Sequence, residues 1–429
     1  MNKKKTYVQV GVGGRARFFY LAIADKYSET CELKAFCDIN KGRMDFAQKT
    51  LTEKYGYPQI KQYGIEDFEK MIEEQKPDYV IVTTIDRTHH KYIIKALEMG
   101  CDVITEKPMT TDNVKCQEII DAVKRTGKNV RVSFNYRYSP YRSQVKKLLM
   151  SGIIGDVKQV HFEWYLDTFH GADYFRRWHR DKRNSGGLLV HKATHHFDLV
   201  NFWLGTKPKT VFAFGDLMFY GRENAENRGM TDFYYRSYGS ENAKNDPFAF
   251  QMKDMGIVED LYLNAEKYDG YLRDQSVWGD GISIEDVMSV LVKYENGAQL
   301  SYSLNAFSPK EGHIVSFTGT KGRLEVEATE VSYVNAAGDI AKEGATTFKR
   351  ITVYPMFKAP YEIEIEKGEG GHGGGDPILL EDLFGNPEPD PLNRAASYVD
   401  GAMSILTGVA ANKSIATGLP VNIKDLVEF

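Results

Sequence analysis

Two hydrophobic periods divide this chain. Up to residue 135, short apolar runs rich in β-branched residues alternate with stretches whose apolar positions return every three or four residues. "TYVQVGV" (6–12), "CELKAFCD" (31–38), "DYVIVTT" (78–84), "CDVIT" (101–105) and "NVRVSFN" (129–135) read as strands. "RARFFYLAIADKY" (15–27), "KGRMDFAQKTLTEKY" (41–55), "THHKYIIKALEMG" (88–100) and "NVKCQEIIDAVKRTG" (113–127) read as helices. Nearly continuous apolar strands need cover on both faces, and strand–helix alternation supplies it in a parallel, doubly wound sheet.

Beyond a helix-like "YRSQVKKLLMSG" (141–152) the period falls to two. "DVKQVHFEWYL" (156–166), "DVMSVLVKY" (286–294) and "AQLSYSL" (298–304) alternate, and the last two flank "ENG", whose Asn-Gly is a strong hairpin signal. "HIVSFTGTKGRLEVE" (313–327) reads as another hairpin. Such consecutive strands predict an antiparallel sheet. Residues 221–280 are polar, rich in Tyr and Asn and weakly patterned, and predict a long excursion over a site or an interface. "EKGEGGHGGGDP" (366–377) reads as a linker or turn, with His372 and Asp376 leaving a functional loop open. The expected organisation is an α/β domain over 1–135 and an α+β domain over 136–429 with a large, open, mainly antiparallel sheet, from which a C-terminal segment can pack back on the first domain.

A chain of 429 residues exceeds one ordinary core, in keeping with two domains. A net charge of −4 gives no electrostatic reason to expect nucleic acid or a membrane surface as partner. No apolar run reaches the length of a membrane span. "MNKKKTYVQVGVGG" lacks the apolar stretch of a secretory signal, so a cytoplasmic location is expected. Cys31, Cys37, Cys101 and Cys116 lack C-x-x-C spacing and predict buried thiols.

"VQVGVGGRA" changes the picture from architecture to chemistry. Gly11, Gly13, Gly14, Arg15 and Ala16 form a G-x-G-x-x-A turn between the first strand and the first helix. Its glycines let the backbone approach a pyrophosphate, and the helix start offers N–H donors. Asp38, followed by Ile39, ends the next strand, where a carboxylate accepts from ribose hydroxyls and repels a 2′-phosphate. This is the Rossmann pattern and favours NAD over NADP, although Arg43 one turn on can tolerate the phosphate.

Two further stretches carry candidate chemistry. Glu106-Lys107-Pro108 ends a strand, so Lys107 points into the crevice where doubly wound sheets bind ligands and can exchange a proton with a substrate hydroxyl. In "GGLLVHKATHHFD" (186–198), a single helix over 188–204 places His191, His195, Asp198 and Phe202 on one stripe and Ala193, Phe197, Val200 and Leu204 on the opposite, core-facing one. His196 flanks the core stripe and reads as structural. The polar stripe has three readings: a solvated face, a metal site, which no H-E-x-x-H supports, or acid–base groups for a substrate.

Gly11-x-Gly13-x-x-Ala16, "TTIDRTHH", "ALEMGCDVITEKP" and "NYRYSP" together resemble the glucose–fructose oxidoreductase/inositol dehydrogenase/MocA (Gfo/Idh/MocA) family over nearly the whole chain. The resemblance implies Lys107 in the catalytic centre beside a nicotinamide. It sets Thr84, Ile85, His89, Glu106, Asn135 and Arg137 around cofactor or substrate, with Tyr138 beside them; family members usually carry proline at the position of Ile85. It makes His195 the residue that acts on the substrate hydroxyl, with Asp198 in support, and His191 a replacement for the usual aspartate. It also implies an open sheet used for homo-oligomerisation, as a dimer or tetramer. The expected function is NAD(H)-dependent oxidation of a secondary hydroxyl of a sugar or sugar derivative, catalysed by Lys107, His195 and His191 with no metal. Glycoside hydrolysis or isomerisation through transient oxidation is the first alternative, and a non-catalytic nucleotide-sensing protein the second.

Overall fold

In the computed structural model, residues 3–331 and 348–429 are described; residues 1–2, the start of the N-terminal stretch, and 332–347 lie outside them. The first 132 residues run β1 (Lys5–Val10), α1 (Arg17–Ala24), β2 (Cys31–Cys37), α2 (Lys41–Tyr55), β3 (Lys61–Tyr63), α3 (Phe68–Gln75), β4 (Tyr79–Val82), α4 (His89–Glu98), β5 (Asp102–Thr105), α5 (Asn113–Thr126) and β6 (Val130–Val132). The six strands are parallel in the order β3-β2-β1-β4-β5-β6. The short pair β3 and α3 lacks a long apolar run and was not foreseen from the pattern. Strand order reverses between β1 and β4, the point at whose carboxyl ends doubly wound sheets bind their ligands.

The remainder contains α6 (Pro140–Met150), β7 (Val157–Asp167), α7 (His170–Arg176), α8 (Lys182–Ser185), α9 (Leu188–His191), α10 (Ala193–Leu204), β8 (Pro208–Asp216), α11 (Arg222–Asn227), α12 (Glu266–Asp269), β9 (Val287–Tyr294), β10 (Gln299–Ser308), β11 (Glu311–Gly319), β12 (Gly322–Val331), β13 (Phe348–Pro355), β14 (Tyr361–Ile363), α13 (Gly371–Phe384), α14 (Tyr398–Thr417) and β15 (Val421–Asn422). Its nine strands order as β14-β13-β12-β11-β7-β10-β9-β8-β15. Only β7 and β10 pair in parallel among the described strands of this sheet. Met288, Val290 and Val292 of β9 are buried, while Leu291 among them is exposed, as period-two alternation requires. The exposed face also carries Phe214 and Ile314.

The helix expected over 188–204 is divided at Lys192 into α9 and α10. The C-terminal part returns to the first domain: Leu379, Leu383 and Phe384 of α13 share a core with Tyr7, Phe19 and Tyr27. The four cysteines are buried thiols. No helix among the described residues is long and apolar enough to cross a membrane.

Candidate active site

The two glycines that open the turn after β1 are needed for different reasons. Gly11 has φ +84, and a Cβ there would stand 2.6 Å from the backbone of Thr83 and Thr84. Gly13 has φ −77, which suits any residue. A Cβ on Gly13 would meet nothing within 4 Å. Its bare backbone is therefore not demanded by packing, and a side chain there would fill the approach a pyrophosphate uses to reach the N–H groups. Ala16 is buried at the start of the first helical turns. The Gly14 N–H donates to the Tyr262 hydroxyl at 3.1 Å.

Asp38 accepts from the Val12 N–H at 2.5 Å and the Asn40 N–H at 2.7 Å, which fixes its carboxylate at the end of β2. Burial raises its pKa and outweighs these donors. Ile39 beside it is 61% exposed, an apolar surface for a flat base. Arg43 is turned away from solvent: its Nε donates to the Leu261 carbonyl at 3.0 Å and its Nη1 lies 2.9 Å from Asp269. An acceptor carboxylate, bare glycine backbone and an exposed apolar surface are a donor and acceptor set that fits a dinucleotide.

At the ends of β4 and β5, His89 acts as a strut. Its Nδ1 lies 2.9 Å from the Pro108 carbonyl and its Nε2 3.0 Å from the Thr84 carbonyl. Burial lowers its pKa. Thr88 Oγ1 bonds Thr84 Oγ1 at 2.9 Å and the Ile85 carbonyl at 2.8 Å, closing the turn that follows β4. Glu106 receives Arg15 Nε at 2.7 Å and the Lys107 N–H at 3.0 Å, so the glycine turn and the Glu-Lys-Pro stretch are tied together. The Lys107–Pro108 peptide is cis.

Lys107 sits close enough to Asp86, His179, His191 and His195 for its charge to act on all four. His191 Nδ1 meets Asp86 Oδ2 at 2.5 Å, across the two domains. Burial is the largest influence on both partners and drives each toward its uncharged form. Whether drawn as acid plus imidazole or carboxylate plus imidazolium, the pair holds one shared proton and no net charge. The carboxylate absent from position 191 is thus supplied from the turn after β4.

His195 lies face to face with Tyr136, ring centroids 4.1 Å apart, and edge-on to Phe134. Its Nδ1 is buried with no hydrogen-bond partner. Burial, then Lys107 and Lys192, hold its pKa well below the ordinary 6.5, so the ring is neutral near pH 7. Lys192 is itself buried, with Nζ 3.3 Å from the Tyr136 hydroxyl. His196 is structural as expected: its Nδ1 bonds the Tyr302 hydroxyl at 2.6 Å and its ring stacks on Trp164.

The glycine-rich segment 366–377 is not a linker. His372 is buried and bonds Asp376 Oδ2 at 2.8 Å, while Asp376 Oδ1 accepts from Asn135 Nδ2 at 2.8 Å. Asn135 Oδ1, just past β6, is buried and makes no hydrogen bond.

Three residues expected at the substrate are engaged with other parts of the chain. Arg137 gives Nε and Nη2 to Asp198 at 2.7 and 2.6 Å and Nη2 also to Asp400 at 2.9 Å. Burial opposes its charge, but these two carboxylates outweigh it. A guanidinium buried this deeply needs such pairing, so Arg137 and Asp198 lock α10 to the end of β6 and to α14. The Tyr138 hydroxyl donates to Asp382 at 2.6 Å and ties α13 in place. Their spacing resembled a binding face, but their partners lie on other elements.

Other site residues escaped the sequence reading. Asp86 stands within the quoted "TTIDRTHH", yet nothing local marks its partner. His179 packs edge-on to His191 at 4.3 Å, and Tyr174 and Trp178 border the same ring. These three come from a stretch with no recognisable period. Among the described residues, no three His, Cys, Asp or Glu side chains are placed to hold a metal ion.

Residues 5–134 match "Oxidoreductase family, NAD-binding Rossmann fold" and residues 146–423 match "Oxidoreductase family, C-terminal alpha/beta domain". The Bacillus subtilis protein YteT, which carries only the general name of an oxidoreductase, is 37% identical over 99% of each chain. The D-glucoside 3-dehydrogenase of Escherichia coli is 28% identical over 41% of this chain and 47% of its own. The WlbA dehydrogenase of Bordetella pertussis, solved with NADH and UDP-GlcNAcA, shares the fold at a TM-score of 0.63 and 17% identity, covering 98% of this chain and 99% of its own.

Proposed function

The chain belongs to the Gfo/Idh/MocA oxidoreductase family, and on that premise we propose that it oxidises a secondary hydroxyl of a sugar or sugar derivative with NAD, in the cytoplasm. The observation that carries this reading is the gathering of Lys107, a neutral His195 whose Nδ1 makes no hydrogen bond, and the His191–Asp86 pair at the carboxyl ends of the parallel strands, beside a glycine turn bare enough for a pyrophosphate. The nicotinamide, when bound, supplies the hydride acceptor.

The chain's own groups manage the proton and the orientation. His195, kept uncharged by burial, takes the proton of the substrate hydroxyl. Lys107, as a cation, faces the negative charge that develops on that oxygen. The His191–Asp86 pair donates or accepts at a neighbouring hydroxyl without changing the charge of the site. Tyr174 and Trp178 give the sugar ring flat apolar surfaces. Asn135 Oδ1 offers an acceptor to the carboxamide of the nicotinamide. The apolar, exposed face of the nine-stranded sheet, with Phe214, Leu291 and Ile314, is the surface through which the chain pairs with itself.

The test is a panel of sugars, sugar acids and aryl glycosides incubated with protein and NAD and scored for NADH and for product. Formation of NADH together with an oxidised sugar is expected. Release of a phenol from an aryl glycoside without NADH would replace this reading by hydrolysis through transient oxidation, and no turnover with any member would contradict it.

A further inference from the structure

The excursion expected over 221–280 reaches back across the first domain and touches both turns that bracket a dinucleotide. At the glycine turn, Tyr262 accepts the Gly14 N–H. At the turn after β2, Asn40 Nδ2 donates to the Ala265 carbonyl at 3.0 Å, and a Cβ on Gly42 would stand 2.5 Å from the Tyr268 ring. Between these contacts Arg43 gives Nε to the Leu261 carbonyl and Nη1 to Asp269. The ion pair is withdrawn from solvent, with the two side chains 10% and 7% exposed. Asp269 is itself held by the Tyr271 N–H, which donates to its Oδ1 at 3.1 Å.

This arrangement changes what Arg43 can do. An arginine one turn past the ribose-binding carboxylate is the residue that can tolerate a 2′-phosphate. Here its charge is already countered by Asp269, and Asp38 stands close enough to feel both. Two carboxylates face one guanidinium, so a phosphate dianion entering beside them meets no uncompensated positive charge. Arg43 Nη2 is buried and makes no hydrogen bond, so it offers an incoming phosphate no exposed donor.

We propose that Asp269, delivered by the excursion, selects NAD over NADP by neutralising Arg43 beside the adenosine ribose. The proposal rests on reading the cleft as a dinucleotide site, and its failure is separable from the failure of that reading. It makes part of the excursion a specificity element of the cofactor site, contributed by the second domain and distinct from the carboxylate that ends β2.

Binding of NADH and NADPH, followed by quenching of protein fluorescence, tests it without reference to turnover. Wild-type protein is expected to bind NADH at least about tenfold more tightly than NADPH, since a like-charge juxtaposition costs several kcal/mol. Asp269→Asn, which keeps the shape and the carbonyl that accepts from Tyr271, is expected to narrow that preference by about tenfold. Adding Arg43→Ala to Asp269→Asn is expected to restore it. A wild-type protein that binds both equally, or an Asp269→Asn variant with an unchanged ratio, overturns the proposal. If neither dinucleotide binds wild-type protein, it is the cofactor reading that fails.

Discussion

Two glycine-rich turns border the cleft, and they use glycine for opposite purposes. In the turn at 11–16, Gly13 has room for a side chain and does without one. In the turn at 368–375, the glycines are pressed against the chain. A Cβ on Gly374 would lie 2.6 Å from the Gly368 Cα, and one on Gly375 would lie 2.4 Å from the Asn135 carbonyl oxygen. Gly373, Gly374 and His372 all have positive φ, the left-handed conformation that glycine adopts without cost and histidine does not. On the proposed reading Gly13 is bare for a ligand, whereas Gly11 beside it, like the glycines of the second turn, is bare so that segments of chain can meet. Bareness alone does not reveal which, because the difference lies in what stands opposite.

Substitutions that add one methyl group should separate the two. Gly375→Ala carries the largest expected effect on the fold, since the methyl is driven into backbone; overpacking of this kind costs about 1–3 kcal/mol. Its thermal unfolding should shift down, and dinucleotide binding should weaken as Asn135 moves. Asp376→Asn comes next. Burial opposes its charge, but His372 and Asn135 together hold the Asp376 carboxyl down at about 2, below the ordinary 3.8. A carboxyl depressed in the folded state stabilises above its unfolded pKa, and that contribution disappears as pH falls through the folded value. The variant should therefore be less stable than wild type at neutral pH by about 2 kcal/mol at most, and the gap in unfolding free energy should close toward pH 2. Gly13→Ala should be nearly silent in unfolding, within about 0.5 kcal/mol, while weakening NADH binding about tenfold. Unfolding of Gly13→Ala as severe as that of Gly375→Ala would erase the distinction between the turns.

The comparison also marks how far the sequence could be read. The first sheet was legible, apart from the short β3 and α3, because its other strands and helices announce themselves within their own residues, and the turn at 11–16 because its motif is bounded by them. The open sheet followed from alternation and from "ENG" at 295–297. What stayed hidden were pairings between distant segments. His191 finds Asp86 105 positions away, Asn135 finds Asp376 241 away, and Arg43 finds Leu261 218 away. Helical spacing set His191, His195 and Asp198 on one stripe of a single helix, but the helix is divided at Lys192 and Asp198 is already taken by Arg137 from another element. A stripe shows which residues share a face; only packing shows which of them still have a free valence for a substrate.

The central claim is that dinucleotide holding and proton handling are separate tasks, assigned to the turn at 11–16 and to the cluster around Lys107. Lys107→Met tests it most directly, by measuring turnover and NADH binding on the same preparation. Removing a group that acts only on the reacting oxygen is expected to lower turnover by about a hundredfold or more while leaving NADH affinity within about twofold of wild type. Turnover equal to wild type in the Lys107→Met variant would contradict the account.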